Sequence, residues 1–265
     1  MKKNQVCIVG CGWLGKPLAI KLKSEFKSVI ASTTSAHAAS EFEQAGITHM
    51  SFDMNDFTPE QIAPIKLSDV IILSIPASKI ELIKLQAFIA SLELKSDQKF
   101  ILISSTSVYK NSERAIAESD ISTLDPNSHP FLIEKIISYT PNHVILRMAG
   151  LIGPGRHPVK FINSSKVLNS PDSSINFICQ PDAIEIVKLF SMNDISNEIY
   201  NCVGDEHFSK RDFYSRLALE HNQPEPVFKD TGATGSKLVS NEKLKSKLNF
   251  KFTPLLPYLS QLVFN

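Results

Sequence analysis

A parallel, doubly wound α/β sheet with a small C-terminal lobe is predicted for this sequence by three observations. Short apolar runs alternate with stretches of helical periodicity from the N-terminus to about residue 148. A glycine-rich turn joins the first apolar run to the first helical stretch. The rhythm then breaks at a Gly- and Pro-rich segment that begins at Gly150. Strands alternating with helices make right-handed βαβ units, and such units build a parallel sheet covered on both faces.

The first unit is Gln5 to Leu22, QVCIVGCGWLGKPLAIKL. Val6, Cys7, Ile8 and Val9 form the apolar run of a strand buried on both faces. Gly10, Gly12 and Gly15 follow as G-x-G-x-x-G, and Leu14, Leu18 and Leu22 recur every four residues on one helix face. Strand, turn and helix in that order make the motif a dinucleotide-binding turn. Gly10 allows the tight turn, Gly12 lets the backbone approach a pyrophosphate, and Gly15 lets the helix pack on the strand. The helix N-terminus adds N–H donors and a positive dipole end. The cofactor-binding residues expected here are Gly10, Cys11, Gly12, Trp13, Leu14 and Gly15. Pro17 falls in the first helical turn, where N–H groups have no intrahelical partner.

The remaining elements follow the same logic. Strands are predicted at residues 28–32, 47–52, 69–75, 99–103 and 143–148. Helices are predicted at 36–46, after Pro59, and at 79–94 and 129–139. Residues 111–128 are polar and irregular, a surface loop. GLIGPGRHPVKF, from Gly150, is read as a loop past the end of a sheet strand, where ligands of open α/β sheets bind. Beyond it come a strand at 174–178, a helix at 181–190, a strand at 198–203 returning to the sheet, and helices at 210–220 and 241–248. The expected division is a Rossmann-type dinucleotide-binding domain over 1–150. Residues 151–265 then supply the loop, the returning sheet elements and a small substrate-binding lobe.

Composition excludes several function classes. The chain has 265 residues, 28 basic and 27 acidic, for a net charge of +1. That balance gives no electrostatic basis for binding nucleic acid or an anionic membrane. No apolar run approaches the roughly 20 residues that span a bilayer. The N-terminal lysines precede an apolar run too short for a signal peptide. Cys7, Cys11, Cys179 and Cys202 form no C-x-x-C pair, so no metal site is expected, and buried thiols in a reducing cytoplasm are.

The end of the second strand bears on cofactor choice. An acidic residue about 20 positions past the glycine turn bonds the ribose 2′-hydroxyl of NAD. Here Ser32, Thr33, Thr34 and Ser35 occupy that region, with no carboxylate before Glu41 and with His37 close by. Hydroxyls can donate to a phosphate, which points to NADP over NAD. Asp53 is placed either to receive an adenine amino group or to cap the next turn. Ser74, Ile75 and Pro76 are expected to line the nucleotide's central part.

GCGWLG at the start, SSTSVY at 104–109, ILRMAGLIGPGRHP at 145–158 and NFICQPDAIEIV at 176–187 together carry a resemblance. The chain resembles an extended or atypical short-chain dehydrogenase/reductase of the NAD-dependent epimerase/dehydratase type, with the pattern of its short bacterial members. The resemblance implies a Ser, Tyr and Lys triad, with Y-x-x-x-K on one helix. Ser105 falls at the serine position and Lys135 at the lysine. The tyrosine position is Phe131, which keeps the ring and lacks the phenol's proton. Lys135 is also expected to hold the cofactor ribose. Members of the family often form homodimers through a helix pair.

Tyr109 and Tyr139 are the nearest phenols, and ordinary packing is the expectation for both. Glu134 is expected to be solvated, and Arg147 to make a structural ion pair near the sheet's end. Arg156 and His157 are the expected substrate contacts. Two functions follow: an NAD(P)-dependent oxidoreductase or epimerase on a small, nucleotide- or sugar-like substrate, or a non-catalytic NAD(P)-binding sensor or partner-binding protein.

Overall fold

A computed structural model describes residues 3–35, 39–162, 167–230 and 236–263. The chain runs β1 (Lys3–Val9), α1 (Gly15–Leu22), β2 (Phe26–Thr33), α2 (Ala39–Gln44), β3 (Thr48–Ser51), α3 (Pro59–Lys66) and β4 (Val70–Leu73). It continues with α4 (Leu82–Leu92), β5 (Lys99–Ser105), α5 (His129–Ile137), β6 (His143–Met148) and β7 (Gly150–Ile152). After these come β8 (Leu168–Asn169), β9 (Phe177–Cys179), α6 (Gln180–Met192), β10 (Glu198–Cys202) and α7 (Lys210–Glu220). The tail holds β11 (Phe228–Lys229), α8 (Glu242–Leu248) and α9 (Leu255–Gln261).

Seven strands form a parallel sheet in the order β3-β2-β1-β4-β5-β6-β10. The first six positions are those of a Rossmann fold, and the order reverses between β1 and β4. Val6 to Val9 and Val70 to Leu73 are fully buried because β1 and β4 are central and covered on both faces. On one face Cys7, Leu73, Phe88, Phe100 and Ile145 pack into a single apolar cluster. On α1, Leu14, Leu18 and Leu22 are buried, as their spacing predicts.

The chain divides into two compact units that interleave in sequence. The first comprises residues 1–108, 126–147 and 184–200, and the second 109–125, 148–183 and 201–265. The sequence boundary expected at 150 is crossed near residue 147, yet the chain returns to the first unit for most of α6 and the start of β10. The physical reason is that β6 takes its outer neighbour from late in the sequence, through the crossover helix α6.

Three expectations need correction. GLIGPGRHPVKF is not all loop: Gly150–Ile152 is a strand paired in parallel with Phe177–Cys179. Gly150 permits that pairing, since a Cβ there would lie 2.7 Å from Phe177 Cδ1. The strand expected at 174–178 is accordingly shifted to 177–179. The tail contains α9, to which the sequence pattern assigns no element, its Leu255 and Leu259 packing with Phe213 and Leu217 in the second unit's core.

Candidate active site

The cofactor end of the first unit is assembled by strand register. Val9 lies opposite both Ser32 and Leu73, and Leu73 lies opposite Leu102. The carboxyl ends of β1, β2, β4 and β5 therefore come out together at the point where strand order reverses, which is where ligands of such sheets bind.

The glycine turn is held there from two sides. Gly10 N–H donates to Ser32 Oγ at 3.2 Å and Cys11 N–H donates to Ser32 O at 2.7 Å. Ser32, which the sequence reading placed in the hydroxyl-rich region facing the cofactor ribose, is instead 1% exposed and holds the glycine turn. Ser32→Ala is expected to cost about 1 kcal/mol, the net worth of one hydrogen bond, in a chemical denaturation midpoint. On the other side, Gly10 has φ +98°, and a Cβ on it would sit 2.6 Å from Ile75 Cγ1. A Cβ on Gly15 would sit 2.7 Å from Gly10 O, so the third glycine is needed for α1 to approach the turn.

Gly12 differs. A Cβ on it would meet no atom within 4 Å, so the turn carries an open cradle at that position. No acidic residue occupies the first turn of α1, and no side chain caps Leu14 at its start. Burial pushes the Cys11 thiol up to about 12, so it stays neutral beside the cradle. Open space over Gly12 beside a helix N-terminus, with no acidic residue in that helix's first turn, fits a pyrophosphate.

The flanking positions are as follows. Ser74 N–H donates to Val9 O at 2.8 Å, extending the β1–β4 contact; Ile75 is half-buried and Pro76 exposed. Thr33 Oγ1 accepts from Ser35 N–H at 3.0 Å, a local turn, while Thr34 and Ser35 are exposed. Glu41 is paired with Lys16 on α1. His37 lies outside the described residues. Asp53 is exposed and its Oδ1 accepts from Asn55 N–H at 2.9 Å, which is the turn-capping alternative.

Around β5 and α5, Ser105 Oγ accepts from Ser107 N–H at 3.1 Å. α5 packs against β5 and against the 3-10 turns at Thr106–Val108 and Ala77–Lys79. The His129 ring, at the start of α5, has Nε2 2.8 Å from Ile80 O. Phe131 is half-buried and Lys135 exposed. Tyr109 is buried, its hydroxyl donating to Asn201 Oδ1 at 2.8 Å, and Tyr139 is 85% exposed beyond the end of α5.

Glu134 is not solvated. It is 3% exposed, and Arg147 on β6 is 1% exposed. Arg147 Nε donates to Glu134 Oε1 at 3.0 Å and Nη2 donates to Oε2 at 2.6 Å. Ser104 Oγ donates to Oε1 at 2.6 Å. Glu134 does point off the face of Lys135, as its adjacency requires, but the face it takes is the one packed on the sheet. Arg147 forms the structural ion pair expected of it. The sequence signal was a single cation in the apolar strand HVILRM facing a single anion in the apolar helix FLIEKII.

Arg156 and His157 belong to the second unit. Arg156 is exposed. His157 is buried, its Nδ1 accepting from Val159 N–H at 3.2 Å, with its ring centroid 4.9 Å from that of His221. Burial first, and His221 second, lower its pKa. Its hydrogen bond caps the 3-10 turn Pro158–Phe161, so the loop's own fold employs it.

Comparison with known proteins bears on the fold and on the N-terminal unit. Residues 5–126 match the family model of the NAD binding domain of 6-phosphogluconate dehydrogenase. Protein YeeZ of Escherichia coli (strain K12) is 27% identical over 266 residues, covering 95% of this chain and 96% of that one. MoeE5, solved with UDP-glucose and NAD, has a TM-score of 0.78 at 16% identity, over 97% of this chain and 96% of that one. UDP-glucuronic acid 4-epimerase from Bacillus cereus, solved with UDP-glucuronic acid and NAD, gives 0.75 at 18% identity, over 97% and 96%. At such identities these two structures share the fold. No helix among the described residues is long and apolar enough to cross a membrane.

Proposed function

We propose that this chain, an atypical member of the extended short-chain dehydrogenases/reductases, is a nicotinamide-dinucleotide-dependent oxidoreductase or epimerase. Its proposed substrate is a small molecule of the nucleotide-sugar class. The observation that carries the reading is the open space over Gly12, in a turn whose Gly10 packs against Ile75 and whose Gly15 packs against Gly10. The bound nicotinamide supplies hydride transfer. The chain's own residues supply the rest. The glycine turn and α1 take the pyrophosphate, and Ser74, Ile75 and Pro76 the middle of the nucleotide. Exposed Lys135 donates to ribose hydroxyls, and Ser105 donates to a reacting oxygen. Arg156 is the proposed substrate contact in the second unit. His157, through its cap, holds the loop that carries Arg156.

The carboxylate-free end of β2, with exposed Thr34 and Ser35, supports NADP over NAD. The UDP-sugars bound by MoeE5 and by the Bacillus cereus epimerase support the substrate class. Phe131 supports a second reading, a nicotinamide-binding sensor without turnover, because the ring at that position has no proton to give. Phe131→Tyr separates the two. The measurement is conversion of UDP-glucose or UDP-glucuronic acid, read both as the change in nicotinamide absorbance, for a net oxidoreduction, and as a new UDP-sugar separated by chromatography, for an epimerisation that returns the cofactor to its starting state. Turnover that appears only in the variant, by the roughly 10²–10⁴-fold worth of a general acid, supports the sensor. Equal turnover in both proteins supports an enzyme whose acid/base lies away from residue 131.

A further inference from the structure

We propose that Glu134 is a positioning residue of this site, which holds the end of β5 and the turn of α5 carrying Lys135 in one fixed relation. The proposal rests on the nicotinamide-binding reading above. It starts from an energetic mismatch. Burying a carboxylate and a guanidinium together costs several kcal/mol per ion, and apolar residues of similar volume often stabilise a fold as well or better. The pair therefore calls for a reason besides stability. Its geometry is directional and fully used: Oε1 accepts from Arg147 Nε and Ser104 Oγ, and Oε2 accepts from Arg147 Nη2.

Those bonds join three elements of the first unit at one atom group. Ser104 is the last residue but one of β5, Glu134 lies in the second turn of α5, and Arg147 is near the end of β6. Successive side chains of a strand point to opposite faces, so fixing Ser104 on Glu134 turns Ser105 away from it. On α5, neighbouring residues are about 100° apart around the axis, so pinning Glu134 sets the direction of Lys135. Phe131, three residues before Glu134, shares its side of the helix. A carboxylate clamped by a guanidinium cannot swing to a new rotamer without leaving an unpaired buried charge. The directions of Ser105 and Lys135 are thus set by a carboxylate that is itself only 3% exposed.

The test compares Ser104→Ala, Ser104→Thr and the double variant Glu134→Leu with Arg147→Met. It reads NADPH and NADH affinity together with amide hydrogen exchange. Ser104→Ala keeps the ion pair and is expected to weaken binding about fivefold, the worth of one hydrogen bond. Ser104→Thr, which keeps the hydroxyl, is expected to restore it. The double variant is expected to fold, to bind at least about tenfold more weakly, and to exchange faster at residues 104–107 and 131–135. A double variant that folds, binds as the wild type does and exchanges no faster overturns the proposal. If it does not fold, wild-type affinity in Ser104→Ala overturns it instead. If the wild-type chain binds neither nucleotide, the functional reading fails, and exchange alone decides. Faster exchange at those residues in Ser104→Ala then keeps Glu134 as a positioning residue, and unchanged exchange overturns it.

Discussion

Gly12→Ala is expected to leave the melting temperature unchanged and to weaken nicotinamide dinucleotide binding by about a hundredfold, some 2.7 kcal/mol. The added methyl meets no protein atom within 4 Å, so folding has no reason to oppose it. It occupies the cradle where the pyrophosphate backbone must approach, so binding does. Gly10→Ala makes the contrast. There the backbone has φ +98°, which costs an L-residue about 1 kcal/mol or more, and the methyl falls 2.6 Å from Ile75 Cγ1. That variant is expected to lose stability and binding together. Thermal melts paired with nucleotide titrations separate the two cases. A Gly12→Ala protein that binds as the wild type does would mean that no dinucleotide crosses this turn.

Arg147→Met is expected to destabilise the first unit by about 3–5 kcal/mol in chemical denaturation. It strands the Glu134 carboxylate, 3% exposed, with only the Ser104 hydroxyl as a neutral donor in place of the guanidinium. Adding Glu134→Leu removes the stranded charge and is expected to recover most of the loss. A single variant that costs under about 1 kcal/mol would show that the carboxylate finds water or another cation, and that the pair does not bind these elements together.

The parts of this account that were legible in the sequence are those with local causes. VCIV and VIIL are apolar without interruption, so they mark the central strands. The glycine spacing with Leu14, Leu18 and Leu22 marks the turn and the face of α1. α7 begins at Lys210, directly after Ser209, whose hydroxyl accepts from Asp212 N–H as a local cap. What escaped depends on partners distant in sequence. Gly150–Ile152 is strand only because Phe177–Cys179 lies beside it, and three residues among glycines and prolines carry no periodicity. Ser32 matters only because β2 ends beside Gly10. Glu134 looks like an ordinary helix-surface acid until Arg147, thirteen residues on, is seen to face it. α9 was hidden by Pro257 in its first turn, which breaks the helical pattern on paper and costs nothing where N–H groups have no partner.

The same division applies to the candidate site. The cofactor turn is local and was readable. That residue 131 is a phenylalanine, without a phenol's proton, is plain in the sequence. How Ser105 and Lys135 are held is a property of the packed first unit, through Ser104, Glu134 and Arg147, and no spacing rule announces it.

The chain contains a single tryptophan, Trp13, and it lies within the glycine turn. Titrating the full chain with NADPH and with NADH while following Trp13 emission is therefore the most direct test of the central claim. Saturable quenching by both, tighter for NADPH, is the predicted result. Saturable quenching with NADH the tighter would overturn the NADP assignment alone. No saturable change with either nucleotide, confirmed by calorimetry, would contradict the account: the turn would then serve the fold and hold no dinucleotide.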